Sequence, residues 1–182
     1  MRKVIAVMNM TLDGYCDHTA GIADEELHDH YTQILKDAGV VLYGRKTYDL
    51  MKFWPSLVAN PSGNKSIDDF AMVMDKVPKI LFSRTVKEVD WHSTTLAKAS
   101  LKEEVNRLKN SEGGDIILGS PSLIVQTSNL GLIDEYQLCI HPVVLGKGLA
   151  LFKDISEQFQ LKLRYTKVFD SGVILCHYSV EE

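Results

Sequence analysis

The chain has 182 residues, of which 45% are hydrophobic and 24% are charged, values typical of a single globular domain over 1–182. The formal net charge is −4, from 20 Lys and Arg against 24 Asp and Glu. No basic block is present, so the charge gives no support to a nucleic-acid partner. No apolar run approaches the roughly 20 residues that cross a bilayer, and we expect no membrane partner.

The cysteines indicate a reducing environment. Cys16, Cys139 and Cys176 form no C-x-x-C pair, and the last two lie in apolar, strand-like runs typical of core residues. The apolar run after Met1 is too short for a signal peptide, because Asn9 follows it closely. Together these features predict a cytoplasmic protein.

The first half of the chain alternates apolar runs with amphipathic segments. A buried strand is predicted over 4–8, followed by a turn at 11–14. The stripe of apolar residues over 24–37 predicts a helix with Asp24 as its N-cap and Gly39 as its C-terminal stop. The next predicted elements are a strand at 40–43, a helix at 47–53 ended by Pro55, a loop at 60–65 and a helix at 67–74.

The second half continues the alternation and then closes with a hairpin. Ser100 and Glu103 predict a capping box at the start of a helix over 100–109. The other predicted elements are strands at 79–82, 91–95, 115–118 and 135–141, a helix at 121–128, and paired strands at 161–169 and 173–179. This order predicts an α/β fold with a mostly parallel central sheet, flanking helices and a C-terminal antiparallel hairpin.

Three predicted strand ends carry groups that suit phosphate. In an α/β sheet, ligands bind beyond the carboxyl ends of the strands. Gly44 and Gly119 allow close approach of the backbone, and each leads into a helix whose free N–H groups attract anions. The polar side chains at the three ends are those of Arg45, Thr47, Ser83, Arg84, Ser120 and Ser122.

The middle strand end narrows the ligand class. Ser83 and Arg84 suit the 2′-phosphate or ribose of an NADP-type nucleotide. Neither G-x-G-x-x-G nor G-x-x-x-x-G-K-[ST] occurs in the chain, so the standard dinucleotide and ATP fingerprints are absent.

Several longer segments resemble known reductases. EYQLCIHPVVLGKG at 135–148 and TLDG at 11–14 resemble the C-terminal reductase domain of the riboflavin-biosynthesis deaminase-reductase family. VLYGRKTY at 41–48 resembles the matching strand and helix of dihydrofolate reductase, and 113–120 resembles the glycine-containing segment before the late helix in both. The resemblance covers nearly the whole chain and implies an NADPH-dependent reductase with a dihydrofolate-reductase-like fold.

The resemblance also implies which residues hold the phosphates of NADPH. It assigns the phosphates near the second strand to Gly44, Arg45 and Thr47. It assigns the adenosine 2′-phosphate to Ser83 and Arg84.

On the nicotinamide side, the resemblance implies that Gly119, Ser120 and Ser122 lie along the pyrophosphate and nicotinamide. Ala6 is implied to border the nicotinamide. Asp13 and Gly14 are implied to belong to a loop over the active site.

The chain departs from these families in three places. The zinc-deaminase signature, H-x-E with P-C-x-x-C, is absent, which excludes a deamination step. The late helix begins Gly-Ser-Pro-Ser instead of with a glycine triplet. The first-helix carboxylate of dihydrofolate reductases has no single match, because Glu25, Glu26 and Asp29 all lie nearby, so folate is not indicated as the substrate.

Candidates for the substrate side are few. Asp13 could orient or protonate the substrate, or it could simply form the Leu-Asp-Gly turn. Trp54 could stack on a flat substrate or pack in the core. The six histidines lack metal-ligand spacing, and we expect no metal.

We therefore predict an NADPH-dependent reductase acting on a flat heterocycle of the pteridine or aminopyrimidine type. One alternative is the 5-amino-6-(5-phosphoribosylamino)uracil reductase of riboflavin biosynthesis. Another is a non-catalytic NADP-binding accessory or sensor module. The resembling families also suggest a homodimer, for which the terminal hairpin is a reasonable contact region.

Overall fold

The computed structural model describes residues 1–181, and within them eight strands form one sheet. The strands are β1 Val4–Thr11, β2 Ala38–Gly44, β3 Lys79–Phe82, β4 Thr94–Leu96, β5 Asp115–Leu118, β6 Glu135–His141, β7 Leu161–Val168 and β8 Ile174–Val180. The helices are α1 Glu25–Asp37, α2 Arg45–Met51, α3 Trp54–Ala59, α4 Lys65–Lys76, α5 Leu101–Lys109 and α6 Pro121–Asn129.

The sheet has the order β4-β3-β2-β5-β1-β6-β8-β7. The six strands from β4 to β6 run parallel to one another, and β8 runs antiparallel to both of its neighbours. The predicted α/β fold with its C-terminal antiparallel hairpin is confirmed. Because β5 returns between β2 and β1, the chain changes direction beside β1, and such a reversal opens a crevice at the carboxyl ends of the strands.

Two apolar layers hold the helices on opposite faces of the sheet. On one face, Val105 of α5 and Ile124 of α6 pack on Val4 and Leu118. On the other face, Leu35 of α1 and Phe70 and Met74 of α4 pack on the sheet. Among residues 1–181, no helix is both long and apolar enough to span a membrane.

Local signals placed the starts of α1, α5 and α6 correctly, whereas α2 and α4 begin two residues before the predicted positions and α3 was not predicted. Asp24 caps α1 by accepting a hydrogen bond of 2.7 Å from the N–H of Leu27, and the capping box of Ser100 and Glu103 is present at α5. The role predicted for Pro55 is incomplete, because this proline lies in the first turn of α3. Proline lacks the N–H that a first turn leaves unpaired, so it starts the next helix as well as separating it from α2.

Gly39 does not stop α1, and that prediction is wrong. The helix ends at Asp37, and Gly39 lies inside β2. A Cβ atom at Gly39 would lie 2.5 Å from the carbonyl oxygen of Gly114, on the neighbouring strand region. The glycine is therefore required by close packing of two backbones, not by a helix terminus.

Several strand boundaries also differ from the sequence prediction, and the largest differences are in β1 and the fourth strand. β1 extends to Thr11, and the fourth strand covers Thr94–Leu96 instead of 91–95. Trp91 is a buried loop residue whose indole N–H donates to Asp75 at 2.8 Å. The ammonium group of Lys79 lies 3.9 Å from the centre of the Trp91 ring, so these contacts hold Trp91 beside the first residue of β3 and outside the strand ladder.

His30 makes the stability of the protein sensitive to acid. Its ring lies 5.7 Å from those of Tyr31 and Phe169, and burial lowers its pKa from 6.5 to about 4. The folded state therefore prefers the neutral ring, and its contribution to stability is present above about pH 6.5 and is lost as the pH falls toward about 4.

We expect His30→Leu to remove part of this acid sensitivity. After allowance for partial exposure of the ring, the variant should gain about 1–2 kcal/mol relative to wild type on going from about pH 7 to about pH 5. Urea unfolding at both pH values measures the difference. His18→Leu, at an exposed loop position, is the control, and an equal pH dependence in His30→Leu and wild type would contradict the expectation.

Candidate active site

The three strand ends that suit phosphate lie side by side in the sheet. Strands β3, β2 and β5 are consecutive neighbours. Gly44 pairs with Phe82 in register, and Leu42 pairs with Leu118. The structure therefore brings the turns after Gly44, Phe82 and Leu118 to one edge of the sheet, where the sequence reasoning expected them.

Ser120 joins two of these turns. Its side chain is 1% exposed, and its hydroxyl oxygen accepts a hydrogen bond of 2.9 Å from the N–H of Gly44. A Cβ atom at Gly44 would lie 3.2 Å from the hydroxyl oxygen of Ser122. The absence of a side chain at Gly44 thus lets the two turns approach each other closely.

Gly119 has a different reason to be glycine. A Cβ atom there would lie 2.8 Å from the ring of Tyr43, which is itself buried. Gly119 therefore lets the turn after β5 pack tightly on β2. This packing places Ser120 within reach of the Gly44 N–H.

The first turn of α6 has free N–H groups. Ser120 is the N-cap residue, but its hydroxyl makes no capping bond to the helix, because it is engaged by Gly44. Ser122 is exposed in the first turn. Uncapped N–H groups at a helix start, together with the helix dipole, favour an anionic group such as a phosphate.

Two arginines flank the ends of β2 and β3. Arg45 is exposed, lies within 3.5 Å of Asp49, and donates to the hydroxyl of Thr85 at 3.2 Å. Arg84 is also exposed, one residue beyond Ser83. Arg45 can turn toward a phosphate at little cost, because its contacts are with the exposed residues Asp49 and Thr85.

Ser83 and Thr47, the hydroxyl residues near the two arginines, differ in their contacts. The hydroxyl oxygen of Ser83 accepts from the N–H groups of Thr85 and Val86, at 3.2 and 3.1 Å. Ser83 therefore shapes the turn that presents Arg84. Thr47 is half-buried in the first turn of α2, next to Arg45.

Ala6 lies where the pairing of β1 with β5 ends. Its last partner is Leu118, and its side chain is fully buried in the core. No part of Ala6 is exposed, and a contact with the nicotinamide stays a prediction. From Val7 onward, β1 remains paired with β6 alone, so its other side faces the crevice.

Asp13 connects two loops that are far apart in sequence. Its carboxylate accepts from the hydroxyl of Thr11 at 2.6 Å, from the N–H of Leu145 at 3.1 Å and from the N–H of Gly146 at 2.7 Å. These bonds, the one from Thr11 first, lower the pKa of Asp13 below its usual value. The neighbouring Gly14 has a φ of +86°, which completes the turn.

The hydrogen bonds of the Asp13 carboxylate affect which of its predicted roles, orienting or protonating the substrate, it can perform. A carboxylate held by three donors stays ionised at neutral pH, so it can orient a substrate or accept a proton more readily than it can donate one. Its observed contacts tie the 11–14 turn to the 142–148 loop. A direct contact with substrate stays a prediction.

Trp54 belongs to an aromatic group on the α1 side of the sheet. Its ring lies 4.4 Å from that of Phe70 and 6.2 Å from that of His28, both edge-on. The side chain is half-buried in the first turn of α3. Packing against Phe70 and His28 thus accounts for the buried part of the Trp54 side chain. Stacking of Trp54 on a substrate stays a prediction.

A polar group on β1 was missed by the sequence reasoning. The side-chain oxygen of Asn9 lies 2.8 Å from the hydroxyl of Tyr31 and 3.0 Å from Nε2 of His141. One feature of the sequence could have indicated Asn9. It is polar, although it lies on the same face of β1 as Ile5 and Val7, which pack toward α1. Within residues 1–181, no three His, Cys, Asp or Glu side chains are grouped as metal ligands would be.

The fold and the three neighbouring strand ends define an α/β protein whose phosphate-suited turns meet at the carboxyl ends of β3, β2 and β5, beside β1. Residues 2–175 match the model of the RibD C-terminal domain. The chain belongs to this family, which is a family of reductase domains. The sequence-based assignment to the riboflavin reductase family is confirmed.

Individual relatives agree with the family assignment. The chain is 36% identical to the Bacillus subtilis (strain 168) uncharacterized protein YyaP, over 97% of this chain and 94% of YyaP. A putative riboflavin biosynthesis protein from Shewanella sp. PV-4 has the same fold, with a TM-score of 0.74, 18% identity and 99% coverage of both chains. Acinetobacter baumannii RibD is similar with a TM-score of 0.72 and 14% identity, and this chain spans 59% of its length.

Proposed function

We propose that this protein is an NADPH-dependent reductase that acts on a flat heterocycle of the pteridine or aminopyrimidine type. The observation that carries the proposal is the meeting of three phosphate-suited turns on neighbouring strands, with Arg45 and Arg84 exposed beside them. Membership of a reductase family supports the reaction class.

The residues at this edge fit NADPH. Gly44, Arg45 and Thr47 would hold phosphates at the start of α2, and the uncapped start of α6 with Ser120 and Ser122 would hold the pyrophosphate. The Ser83–Arg84 turn would hold the 2′-phosphate, since a guanidinium matches its oxygens in pairs.

NADPH, when bound, supplies the hydride. The hydride and one solvent proton would add across an unsaturated bond of the substrate, so that NADPH and H⁺ are consumed and NADP⁺ and the reduced substrate are formed. The protein would position the two reactants in the crevice beside β1 and exclude water from it. The Asp13 loop and the half-buried Trp54 border the region we assign to substrate.

A narrower candidate is 5-amino-6-(5-phosphoribosylamino)uracil reduction. It is supported by the family match and by similarity to a Thermotoga maritima deaminase and 5-amino-6-(5-phosphoribosylamino)uracil reductase, with a TM-score of 0.67 and 18% identity. This chain spans 57% of that protein. The aminopyrimidine arm of the substrate panel below tests this candidate.

Binding and turnover can be tested separately. Quenching of protein fluorescence by NADPH, or a rise in melting temperature, tests the cofactor site. Absence of both effects at millimolar NADPH, with an intact fold, would refute the cofactor. Loss of NADPH absorbance with dihydrofolate, a biopterin-type compound or the riboflavin-pathway pyrimidine tests turnover, and binding without turnover of any of them would favour a non-catalytic NADP-binding module.

Asp13→Asn is expected to reduce turnover by roughly 10- to 100-fold, with little change in NADPH affinity. The physical reason is that the amide, with one acceptor oxygen and one NH₂ donor, cannot accept both the bond from Thr11 within the 11–14 turn and the two bonds from Leu145 and Gly146 that join the turn to the 142–148 loop. Steady-state kinetics with the active compound of the panel measures the effect. Asp17→Asn, whose carboxylate contacts Thr19 of its own loop, is the control, and unchanged turnover in Asp13→Asn would remove Asp13 from the site.

The homodimer stays a proposal. Its support is the exposure of apolar side chains on the terminal hairpin, with Val168 at 67%, Leu163 at 51% and Ile174 at 41%. Exposed apolar groups on an edge strand favour association. Sedimentation equilibrium measures the mass directly.

A further inference from the structure

Asn9 lies where β1 continues beyond the end of β5. The pairing of β1 with β5 stops at Ala6, whereas its pairing with β6 continues to Thr11 opposite His141. One side of β1 is therefore covered by β6, and the other side borders the gap that β5 leaves open. Asn9 is an exposed polar residue in a strand whose neighbours at 4–7 are all buried.

The hydrogen bonds of His141 decide which way the Asn9 amide faces. His141 is 2% exposed, and its Nδ1 accepts a hydrogen bond of 3.0 Å from the N–H of Ile22. Burial lowers the pKa of His141, so the ring is neutral and its one proton is on Nε2. Nε2 must then donate to the atom 3.0 Å away, which identifies that atom as the oxygen of Asn9.

Tyr31 holds the same oxygen from a second direction. Its hydroxyl donates to Oδ1 of Asn9 at 2.8 Å, and burial raises the pKa of Tyr31, so the hydroxyl keeps its proton. Two donors on one oxygen fix the amide plane and leave the NH₂ group on the other branch of the side chain.

The NH₂ group of Asn9 is not engaged by the residues that hold its oxygen. Among residues 1–181, no acceptor lies within hydrogen-bond distance of it. His141 on β6 and Tyr31 on α1 both hold the oxygen, so the nitrogen lies on the branch turned away from these two donors, on a stretch of β1 that β5 does not pair with. A fixed amide with two free N–H donors is suited to a carbonyl oxygen of a ligand.

We propose that Asn9 is a specificity-determining residue that donates hydrogen bonds from its NH₂ group to a ring carbonyl of the substrate. The substrate is then an oxo-heterocycle, such as a uracil or a 4-oxopteridine, and not its fully amino-substituted counterpart. Tyr31 and His141 are positioning residues that hold the amide. The inference rests on the proposed function only in taking the crevice as the substrate site.

Binding of two matched pyrimidines tests the proposal without turnover. The NH₂ signals of Asn9 are identified in ¹H–¹⁵N spectra by their loss in Asn9→Asp. 6-Aminouracil, which has two ring carbonyls, should shift these signals and should bind at least about tenfold more tightly than 2,4,6-triaminopyrimidine at mildly alkaline pH. Equal binding of the two compounds, or binding of neither at millimolar concentration, would overturn the proposal.

Asn9→Asp should reverse the preference. Aspartate keeps an oxygen for Tyr31 and His141 but replaces the NH₂ donor by a second acceptor. The variant should therefore bind 2,4,6-triaminopyrimidine more tightly than 6-aminouracil. Asn110→Asp, the same change at the C-terminus of α5, should keep the wild-type preference, and a wild-type preference in Asn9→Asp would also overturn the proposal.

Tyr31→Phe tests the positioning role. Loss of one of the two donors should let the amide rotate, so the Asn9 NH₂ signals should broaden and the affinity for 6-aminouracil should fall several-fold, with NADPH affinity unchanged. Sharp signals at unchanged positions would show that Tyr31 does not hold the amide.

The remaining arms separate this inference from the proposed function. Shifts of the Asn9 NH₂ signals by NADPH alone, with none on addition of 6-aminouracil, would assign the amide to the cofactor and overturn the inference. Reversal of the preference without NADPH oxidation would support the inference and count against the reductase. If the protein oxidises NADPH but Asn9→Asp keeps the wild-type preference, the reductase would be supported and the inference about Asn9 overturned.

Discussion

Arg84→Ala is expected to weaken NADPH binding by roughly 10- to 100-fold and to leave NADH binding nearly unchanged. Hydrogen bonds to a charged group contribute about 1.5–3 kcal/mol, and only NADPH carries the 2′-phosphate that Arg84 would contact. The change in structure should be small, because Arg84 is exposed in a turn that is shaped by the hydroxyl of Ser83.

Fluorescence titration with both nucleotides measures the two affinities. Lys87→Ala, which removes another exposed cation three residues along, is the matched control and should retain the preference for NADPH. An equal loss of affinity for both nucleotides in Arg84→Ala would show that Arg84 does not contact the 2′-phosphate. Lower salt should enlarge the difference between wild type and variant, because the interaction is between exposed charges.

Gly39→Ala is expected to destabilise the protein by about 3 kcal/mol or more. A Cβ atom at position 39 would lie 2.5 Å from the carbonyl oxygen of Gly114 and 2.5 Å from the guanidinium of Arg2. Arg2 cannot move away freely, since it is 8% exposed and donates to Gly114 and Ser111. The added methyl group must therefore separate the start of β2 from the start of β5, where the register already shifts.

Urea unfolding of Gly39→Ala should show a lower midpoint with an unchanged slope. Gly131→Ala is the control, because Gly131 has a φ of +64° but no atoms within 4 Å of an added Cβ. It should cost only about 1–2 kcal/mol, the usual penalty for a left-handed alanine. A loss in Gly39→Ala no larger than in Gly131→Ala would contradict the close-packing explanation.

The two predictions test different consequences of the same sheet. The Gly39–Gly114 contact sets the separation of β2 and β5 at one edge, and the bond from Gly44 to Ser120 joins the same strands at the other. Loosening the first contact should therefore also disturb the phosphate-suited turns. NADPH affinity in Gly39→Ala, measured under conditions where the variant is folded, is a further readout of this coupling.

Much of the architecture followed from local sequence signals. The apolar spacing and the Asp24 cap predicted α1, the capping box predicted α5, and the two strand-like segments at 161–169 and 173–179 predicted the final hairpin. These features depend on residues a few positions apart, so their energetics are visible in the sequence. The misplaced boundaries, at Pro55 and Trp91, occurred where a proline could end or begin a helix and where a tryptophan packs on Asp75 and Lys79.

The site was only partly accessible to the same reasoning. Gly44, Ser83 and Gly119 could be chosen because strand-to-helix turns with glycine and hydroxyl groups suit phosphate. Asn9 and His141 could not, because they are 132 positions apart, and nothing local shows that they touch.

The sequence by itself determined the α/β class, the order of the elements, the family resemblance and the residue types at the three strand ends. Only the tertiary structure decided that those ends are neighbours, that Asp13 binds the backbone of Leu145 and Gly146, and that the side-chain oxygen of Asn9 meets Tyr31 and His141. The physical reason is that local periodicity and turn chemistry act within a few residues. Strand order brings together groups more than 100 residues apart, and their hydrogen bonds exist only once the sheet has formed.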